Sequence, residues 1–379
     1  MKKALAPTAL FLTLICLLSS FGTRASAAVA AEYEEAAISS DVKVSSRICE
    51  LLFGSGGSVC GKNCSREKRD GSDENKTALL CPGGSVFGAR IKQDEVTVVN
   101  SKAAKISAGD IIVSVNGKSV KSIDEIKEIL KSHTGGELSL TIRRKGELRE
   151  VKITPEATDG EYKLGLGLRD SAAGIGTVTF YEPQSGFFGG LGHGICDSES
   201  GEVIKMSSGA VTDVILGGVQ KGEVGKPGEL CGVLTNEEHG ELFANTECGV
   251  FGRLKQKNGG ASDGTEPIKI ASRSEVREGE AKIISTVKNG KKAEYSIELY
   301  DVNPTSTGTK SFKIKVTDKA LLAMTGGIVR GMSGSPIIQD GKLVGAVTHV
   351  MVADPTEGYG IFIENMLAAA NTSVQPKAA

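Results

Sequence analysis

The amino-acid sequence predicts a mainly β protein, a double β-barrel preceded by a small α+β unit. Three observations carry that expectation. From Glu161 onward apolar residues recur in short alternating runs, as at Leu164, Leu166 and Leu168, the period-2 pattern of half-buried strands. Glycine supplies 49 of 379 residues, near twice its usual share of about 7%, without a collagen-like triplet. Such an excess suits tight turns and bulges joining many short strands. Between Ala78 and Pro155, by contrast, strand-like runs enclose one capped helix.

The N-terminus has the grammar of an export signal. Lys2 and Lys3 precede an apolar run from Ala4 to Phe21, and Ala25-Ser26-Ala27 follows as an A-x-A cleavage pattern. Residues 1–27 are expected to be a signal peptide or an uncleaved membrane anchor, the run being near the roughly 20 residues that span a bilayer. Either way the remainder is expected to be exported. Lys and Arg number 45 against 46 Asp and Glu, so there is no basic excess for nucleic acid. Beyond the signal lie Cys49, Cys60, Cys64, Cys81, Cys196, Cys231 and Cys248. Export makes structural disulfides their expected use, and an odd count leaves a thiol over. Cys60-x3-Cys64 lacks a second Cys pair or a nearby His, so neither metal nor cofactor is expected. Residues 28–78 read as an exposed, Cys-containing linker. Its stretch Gly61–Thr77 is polar, mixed in charge and aperiodic, which suits a protease-sensitive segment.

Residues 79–156 read as the small α+β unit. Val96, Val98, Ile111, Ile112, Val113 and Val115 are strand-like. Ser122 and Glu125 form a capping box, and Ile123, Ile126, Ile129 and Leu130 give the helix one apolar stripe. Leu138, Leu140 and Ile142 alternate, and Lys145-Gly146 offers a hairpin turn to Val151 and Ile153. Gly109-Asp110-Ile111-Ile112 and Val115-Asn116-Gly117 resemble the GDxI…VNG pattern of PDZ domains. The resemblance implies a carboxylate-binding loop, expected at Gly83, Gly84, Ser85, Val86, Phe87 and Gly88, whose amides would receive a peptide C-terminus. That loop differs from the usual Gly-Leu-Gly-Phe form.

Residues 157–379 read as the β-rich domain, with further strands at Ile268–Ile270, Ala281–Val287 and Tyr295–Tyr300. Gly331-Met332-Ser333-Gly334-Ser335-Pro336 is its most informative segment. Glycines on both sides let the backbone bend around an exposed Ser333, and a hydroxyl nucleophile needs such a turn, a base and nearby amides. The hexapeptide has the G-x-S-G-x-P pattern of chymotrypsin-like serine peptidases, whose oxyanion hole would be the N–H groups of Gly331 and Ser333. Position 335 is Ser, so the G-x-S-x-G elbow of α/β-hydrolases does not match. Of four histidines, His193 stands in the glycine-rich loop Gly189–Ile195 and precedes the serine, the chymotrypsin-like order. His349 is the second candidate base. His239 reads as solvated at a polar hairpin tip, and His133 belongs to the small unit. Five aspartates, Asp197, Asp213, Asp263, Asp301 and Asp318, separate His193 from Ser333, and the residues alone leave the acid open. In chymotrypsin-like enzymes the base of the P1 pocket lies six residues before the serine; here that is Gly327, so no demand for Arg or Lys is expected.

Residues 162 to 367 resemble the stage IV sporulation protein B serine peptidases of endospore-forming bacteria. The matching stretches are Leu168–Thr177, Tyr181-Glu182-Pro183, Leu191–Ile195, Thr325–Val350 and Asp354–Gly360. The resemblance implies Ser333 as nucleophile, His193 as general base and Asp318 as the acid. It implies an enzyme in the space between forespore and mother-cell membranes that cleaves a membrane-bound inhibitor of an intramembrane metalloprotease, and also itself. It further implies a PDZ domain used for self-recognition and target binding. Two other readings are a broad envelope quality-control protease and a non-catalytic PDZ scaffold on a peptidase fold.

Overall fold

The computed structural model describes residues 78–374 save 104, 159, 199, 256–264 and 289. The expected signal over 1–27, nearly all of the linker, and Cys49, Cys60 and Cys64 lie outside the described residues.

Two 16-residue strands organise the chain. Strand β1 (Leu79–Pro82) leads into the first, β2 (Val86–Ser101). After it come β3 (Ile111–Val115), β4 (Lys118–Ser119), helix α1 (Ile123–Lys131), β5 (Leu138–Arg144) and β6 (Glu147–Ile153). A short hairpin of β7 (Glu156–Thr158) and β8 (Glu161–Lys163) then delivers the second long strand, β9 (Leu166–Tyr181). Helix α1 starts where the capping box places it: the Glu125 N–H donates to Ser122 Oγ at 3.2 Å. The Glu125 carboxylate reaches back one residue further than expected, accepting from the Lys121 N–H at 2.6 Å. Lys145 and Gly146 turn the β5–β6 hairpin with φ of 51° and 84°, the twist that suits antiparallel strands. Val96, Val98, Ile112, Ile126, Leu138 and Leu140 close a core of this unit's own.

The first barrel uses β10 (Phe187–Gly190), β11 (Met206–Gln220), β12 (Glu229–Thr246) and β13 (Gly249–Leu254). Its strands run β2-β9-β10-β13-β12-β11, and β11 returns to β2, so the ring closes. Strand β14 (Ile268–Lys269) pairs outside it with β1. The second barrel follows with β15 (Gly279–Lys288), β16 (Lys291–Tyr300), β17 (Phe312–Val316), helix α2 (Lys319–Thr325), β18 (Pro336–Gln339), β19 (Lys342–Met351) and β20 (Asp354–Phe362). Its closed order is β15-β16-β17-β20-β19-β18. Helix α3 (Ile363–Val374) ends the described chain. Closure leaves neither barrel a free hydrogen-bonding edge. Phe87, Ala89, Ile91, Phe188 and Val250 pack in the first barrel; Ile283, Ile297, Leu299, Ile314 and Met332 pack in the second. The expected double barrel with a small α+β unit is thus the architecture observed.

The small unit differs from expectation in where it begins. Residues Val86–Lys92 pair with Ser171–Thr177 of β9 and with β11, as a stave of the first barrel. The register then slips between Lys92 and Thr97, and Val96 to Ser101 pair with β3 and with Leu166–Arg169. Both long strands therefore run through both units, and the small unit grows out of the β2–β9 pair instead of preceding the peptidase from residue 79. The apolar alternation breaks at the change: the polar run Lys92–Glu95 separates Ala89 and Ile91, which serve one core, from Val96 and Val98, which serve the other in the opposite phase.

Residues 81, 196, 231 and 248 are the described cysteines. Cys81 is buried with its thiol directed at Thr265 O, 3.4 Å away, while Cys196, Cys231 and Cys248 are free thiols. The disulfides expected from export are not formed among those three.

A fragment starting at residue 157 lacks a stave of the first barrel and is expected to show no cooperative melt by circular dichroism. Lys92 and Ser171 are cross-strand partners. Replacing residues 93–170 with an Asn-Gly turn keeps all six staves and should preserve a cooperative melt.

Candidate active site

The segment Gly331–Pro336 forms tight turns ahead of β18. Gly331 and Gly334 hold φ of 95° and 93°, the left-handed region that side chains resist. A Cβ at Gly334 would lie 2.0 Å from Thr177 O and 2.5 Å from Leu191 N, so only glycine allows this approach. The amides of the turn divide into two sets. Those of Met332, Gly334 and Ser335 donate to Val329 O, Val347 O and Met332 O at 3.1, 2.7 and 2.9 Å. Those of Gly331 and Ser333 donate to no group among the described residues. Amides left open in a buried turn are available to an incoming anion. Ser335 is wholly buried with its hydroxyl on Ser285 Oγ at 3.1 Å, whereas Ser333 is partly exposed with a free hydroxyl.

Strand β9 fixes that turn from the first barrel. The Thr177 N–H donates to Ser333 O at 2.9 Å, and its Oγ1–H to Gly331 O at 2.8 Å. Thr179 Oγ1–H donates to Gly334 O at 2.8 Å. Both threonines are fully buried. Thr177 O also accepts the Leu191 N–H at 3.2 Å, so the loop carrying His193 hangs from the same residue. Asn245 of β12 steadies that loop further on. Its side chain accepts from Ile195 N and donates to Ile195 O, at 2.8 and 2.9 Å. Sequence reading passed over Thr177, Thr179 and Asn245. Threonines spaced two apart beside buried Val178 and Phe180 were the available signal.

His193 Nδ1 lies 2.8 Å from Gly194 O. A carbonyl only accepts, so Nδ1 carries the proton and Nε2 is left as the basic nitrogen. Burial pushes the His193 pKa below its ordinary value, against the raising effect of the Gly194 carbonyl. The ring of His349, on β19, sits with its centroid 5.0 Å from that of His193 at 35°. Its pKa is pushed down to about 4 by burial, then by His193 and by Lys310. Its Nδ1 is buried without a hydrogen-bond partner. Both rings line a cleft of about 380 Å³.

Asp318 has a structural use. It is the N-cap of α2: one carboxylate oxygen accepts from the Leu321 N–H at 2.8 Å and the other from the Ser296 N–H at 3.4 Å. Both oxygens of the expected acid thus serve helix and strand amides, and His193 Nδ1 bonds to Gly194 O, with no Asp318–His193 hydrogen bond among the described residues. The other described aspartates are engaged too: Asp197 with Arg169, Asp213 with His239 and Asp301 with Lys313. Asp263 lies outside the described residues. His239 is half-buried within β12 rather than solvated at a hairpin tip. Its ring, Asp213 and Glu237 place ligand atoms within 4.8 Å of one another, with both carboxylates exposed. Gly327 has φ of 138°, and a Cβ there would lie 2.0 Å from Pro355 O, so this position admits no acidic side chain.

The expected carboxylate-binding loop is also corrected. Gly83 and Gly84 donate their amides to Thr179 O and Val178 O at 2.9 and 2.8 Å, and Thr286 Oγ1–H donates to Gly84 O. Val86, Phe87 and Gly88 pair with Thr177, Gly176 and Ile175, leaving Ser85 as a corner of the same barrel. The strand beside helix α1 is the start of β9. The Ile123 N–H donates to Asp170 at 2.8 Å, and Leu166 and Leu168 pack against the same core as Ile123 and Leu130.

The sequence profile of the SpoIVB peptidase S55 family matches residues 160–367, and that of the PDZ domain residues 95–144. The zinc metalloprotease RasP of Geobacillus kaustophilus is 26% identical over 99 residues, 26% of this chain and 21% of RasP. The chain spans 21% to 39% of the length of the curated relatives it matches. Among solved structures, the PDZ domain of the SdrC-like protein of Listeria monocytogenes is 24% identical, covering 20% of this chain and 90% of that one, with a TM-score of 0.19. The active form of the Rv3671c protease of M. tuberculosis is 10% identical, covering 55% and 77%, with a TM-score of 0.32.

Asp318→Ala removes a helix cap and should cost about 0.5–2 kcal/mol in a denaturant melt, with Asp318→Asn close to wild type.

Proposed function

The chain belongs to the SpoIVB peptidase S55 family, and we propose that it is an exported serine endopeptidase with Ser333 as nucleophile and His193 as general base. The observation that carries this reading is the pair of unused amides, Gly331 and Ser333, beside a serine hydroxyl that is itself unbonded. Ser333 Oγ attacks the scissile carbonyl carbon while His193 Nε2 takes its proton. The oxygen of the tetrahedral intermediate accepts the two open N–H groups. The imidazolium then gives its proton to the departing amine, and water repeats the sequence on the acyl-enzyme. Gly194 O does part of what a carboxylate does elsewhere: it holds the Nδ1–H tautomer. It supplies no full negative charge to the imidazolium. His349 packs against the ring and, being neutral near pH 7, adds no repulsion as His193 becomes charged.

For the biological setting we carry the family resemblance over. The substrate is a membrane-bound regulatory protein, an inhibitor of an intramembrane metalloprotease, cleaved by limited proteolysis during sporulation between the forespore and mother-cell membranes. The N-terminal signal or anchor supports export, and the polar stretch Gly61–Thr77 is the favoured place for self-cleavage. The groove between α1 and the start of β9 is the site for a peptide C-terminus, the substrate's or another copy's, which would add a strand there.

Fluorophosphonate labelling tests the chemistry. Ser333→Ala should abolish labelling and self-cleavage, and His193→Ala should lower both by several orders of magnitude. Asp318→Asn should stay within a few-fold of wild type. A Ser333→Ala protein that still processes itself overturns the assignment.

The base acts neutral, and burial favours that form. The acid limb of kcat/KM against pH should therefore have its midpoint below the ordinary histidine value of about 6.5. A midpoint above 7 would contradict a buried His193 as the base.

A further inference from the structure

We infer that the cleft beside His193 is a specificity pocket for an apolar side chain of the protein substrate, one close to the bond that Ser333 attacks. The inference rests on the reading of Ser333 and His193 as the reacting pair and adds which substrate that pair accepts. Position is the first argument. Leu191 and His193 of the histidine loop line the cleft together with Gly174 and Ile175 of β9. Those two precede Thr177, whose amide holds Ser333 O, on the same strand. A chain bound with its carbonyl at Ser333 thus has a neighbouring residue within reach of the cleft.

Chemistry is the second. Ala89, Leu191 and Ile195 supply apolar walls, and no Asp, Glu, Lys or Arg is among the lining residues. Cys196 at the rim has its thiol pKa pushed up by burial and by Glu247, so it stays neutral. An ionised substrate side chain would lose water there without gaining a partner. An apolar one would leave water for about 380 Å³ of space.

Gly174 provides the third. Its backbone is outside the left-handed region, and a Cβ built on it meets nothing within 4 Å. Neither backbone nor packing calls for glycine at this point of a strand, where glycine costs stability. What its missing side chain leaves open is the cleft, opposite its cross-strand partner Ala89.

The experiment is a peptide library cleaved by the protein, with each position around the scissile bond varied in turn. One position should favour Leu, Ile, Met or Phe over Gly, Asp and Lys by roughly 10–200-fold in kcat/KM, the range an apolar pocket reaches. Gly174→Leu fills the pocket and should melt with wild type, yet lose at least ten-fold on the favoured peptides and flatten the preference. If the wild-type protein is labelled by a fluorophosphonate and cleaves the library without an apolar preference, the pocket is wrong and the active site stands. An unchanged preference in a folded Gly174→Leu protein also overturns the pocket. Absence of wild-type labelling overturns the Ser333–His193 reading and the pocket with it.

Discussion

A single buried threonine ties the two halves of the site together. Thr177 donates its amide to Ser333 O and its hydroxyl to Gly331 O, and its own carbonyl accepts the Leu191 amide. It has no exposed surface. A buried polar group without a partner costs about 1–3 kcal/mol, so all three bonds are held against water by the cost of breaking any one. The serine turn of the second barrel and the histidine loop of the first are therefore positioned from one residue. With its carbonyls facing Thr177 and Thr179, the turn leaves the Gly331 and Ser333 amides unused.

That arrangement depends on close backbone approach. Gly334 must lie against Thr177 O and Leu191, nearer than any Cβ permits. The strand that offers Thr177 is unusually long. Its first residues lie against α1 in the small unit, and its last pair with β1 and β10 in the barrel. One continuous strand thus begins at the proposed peptide groove and ends beneath the serine turn.

The histidine environment follows from the same packing. His193 is set in a loop whose neighbouring carbonyl, not a carboxylate, receives its Nδ1–H. A carbonyl dipole fixes a tautomer but stabilises positive charge less than an ion does. Burial works in the same direction by penalising the imidazolium. The proposed base is thereby kept neutral, while Asp318 caps a helix in the second barrel.

Local patterns were legible wherever their cause was local. The capping box at Ser122, the Lys145-Gly146 turn and the strands from Gly279 to Tyr300 follow from neighbouring residues and were readable in the chain. The Gly-x-Ser-Gly motif specified a bent turn around Ser333, and the glycines about His193 specified a tight loop. Long-range pairing was not readable. Gly83 and Gly84 resembled a free loop until β9 took their amides, and β2 passes from one core to the other without ending as a strand. Asp318 precedes a helix start, which gives a carboxylate a second use that motif position does not reveal. The sequence by itself determined the barrel class, the bent turn around Ser333 and the tight loop around His193, because each depends on side-chain type and short spacing. Only the tertiary structure decided which amides stay open, which carboxylates are spent and which strand joins the two units. Those depend on partners far apart in the chain, and a hydrogen-bonding group's availability is known only when all its competitors are in place.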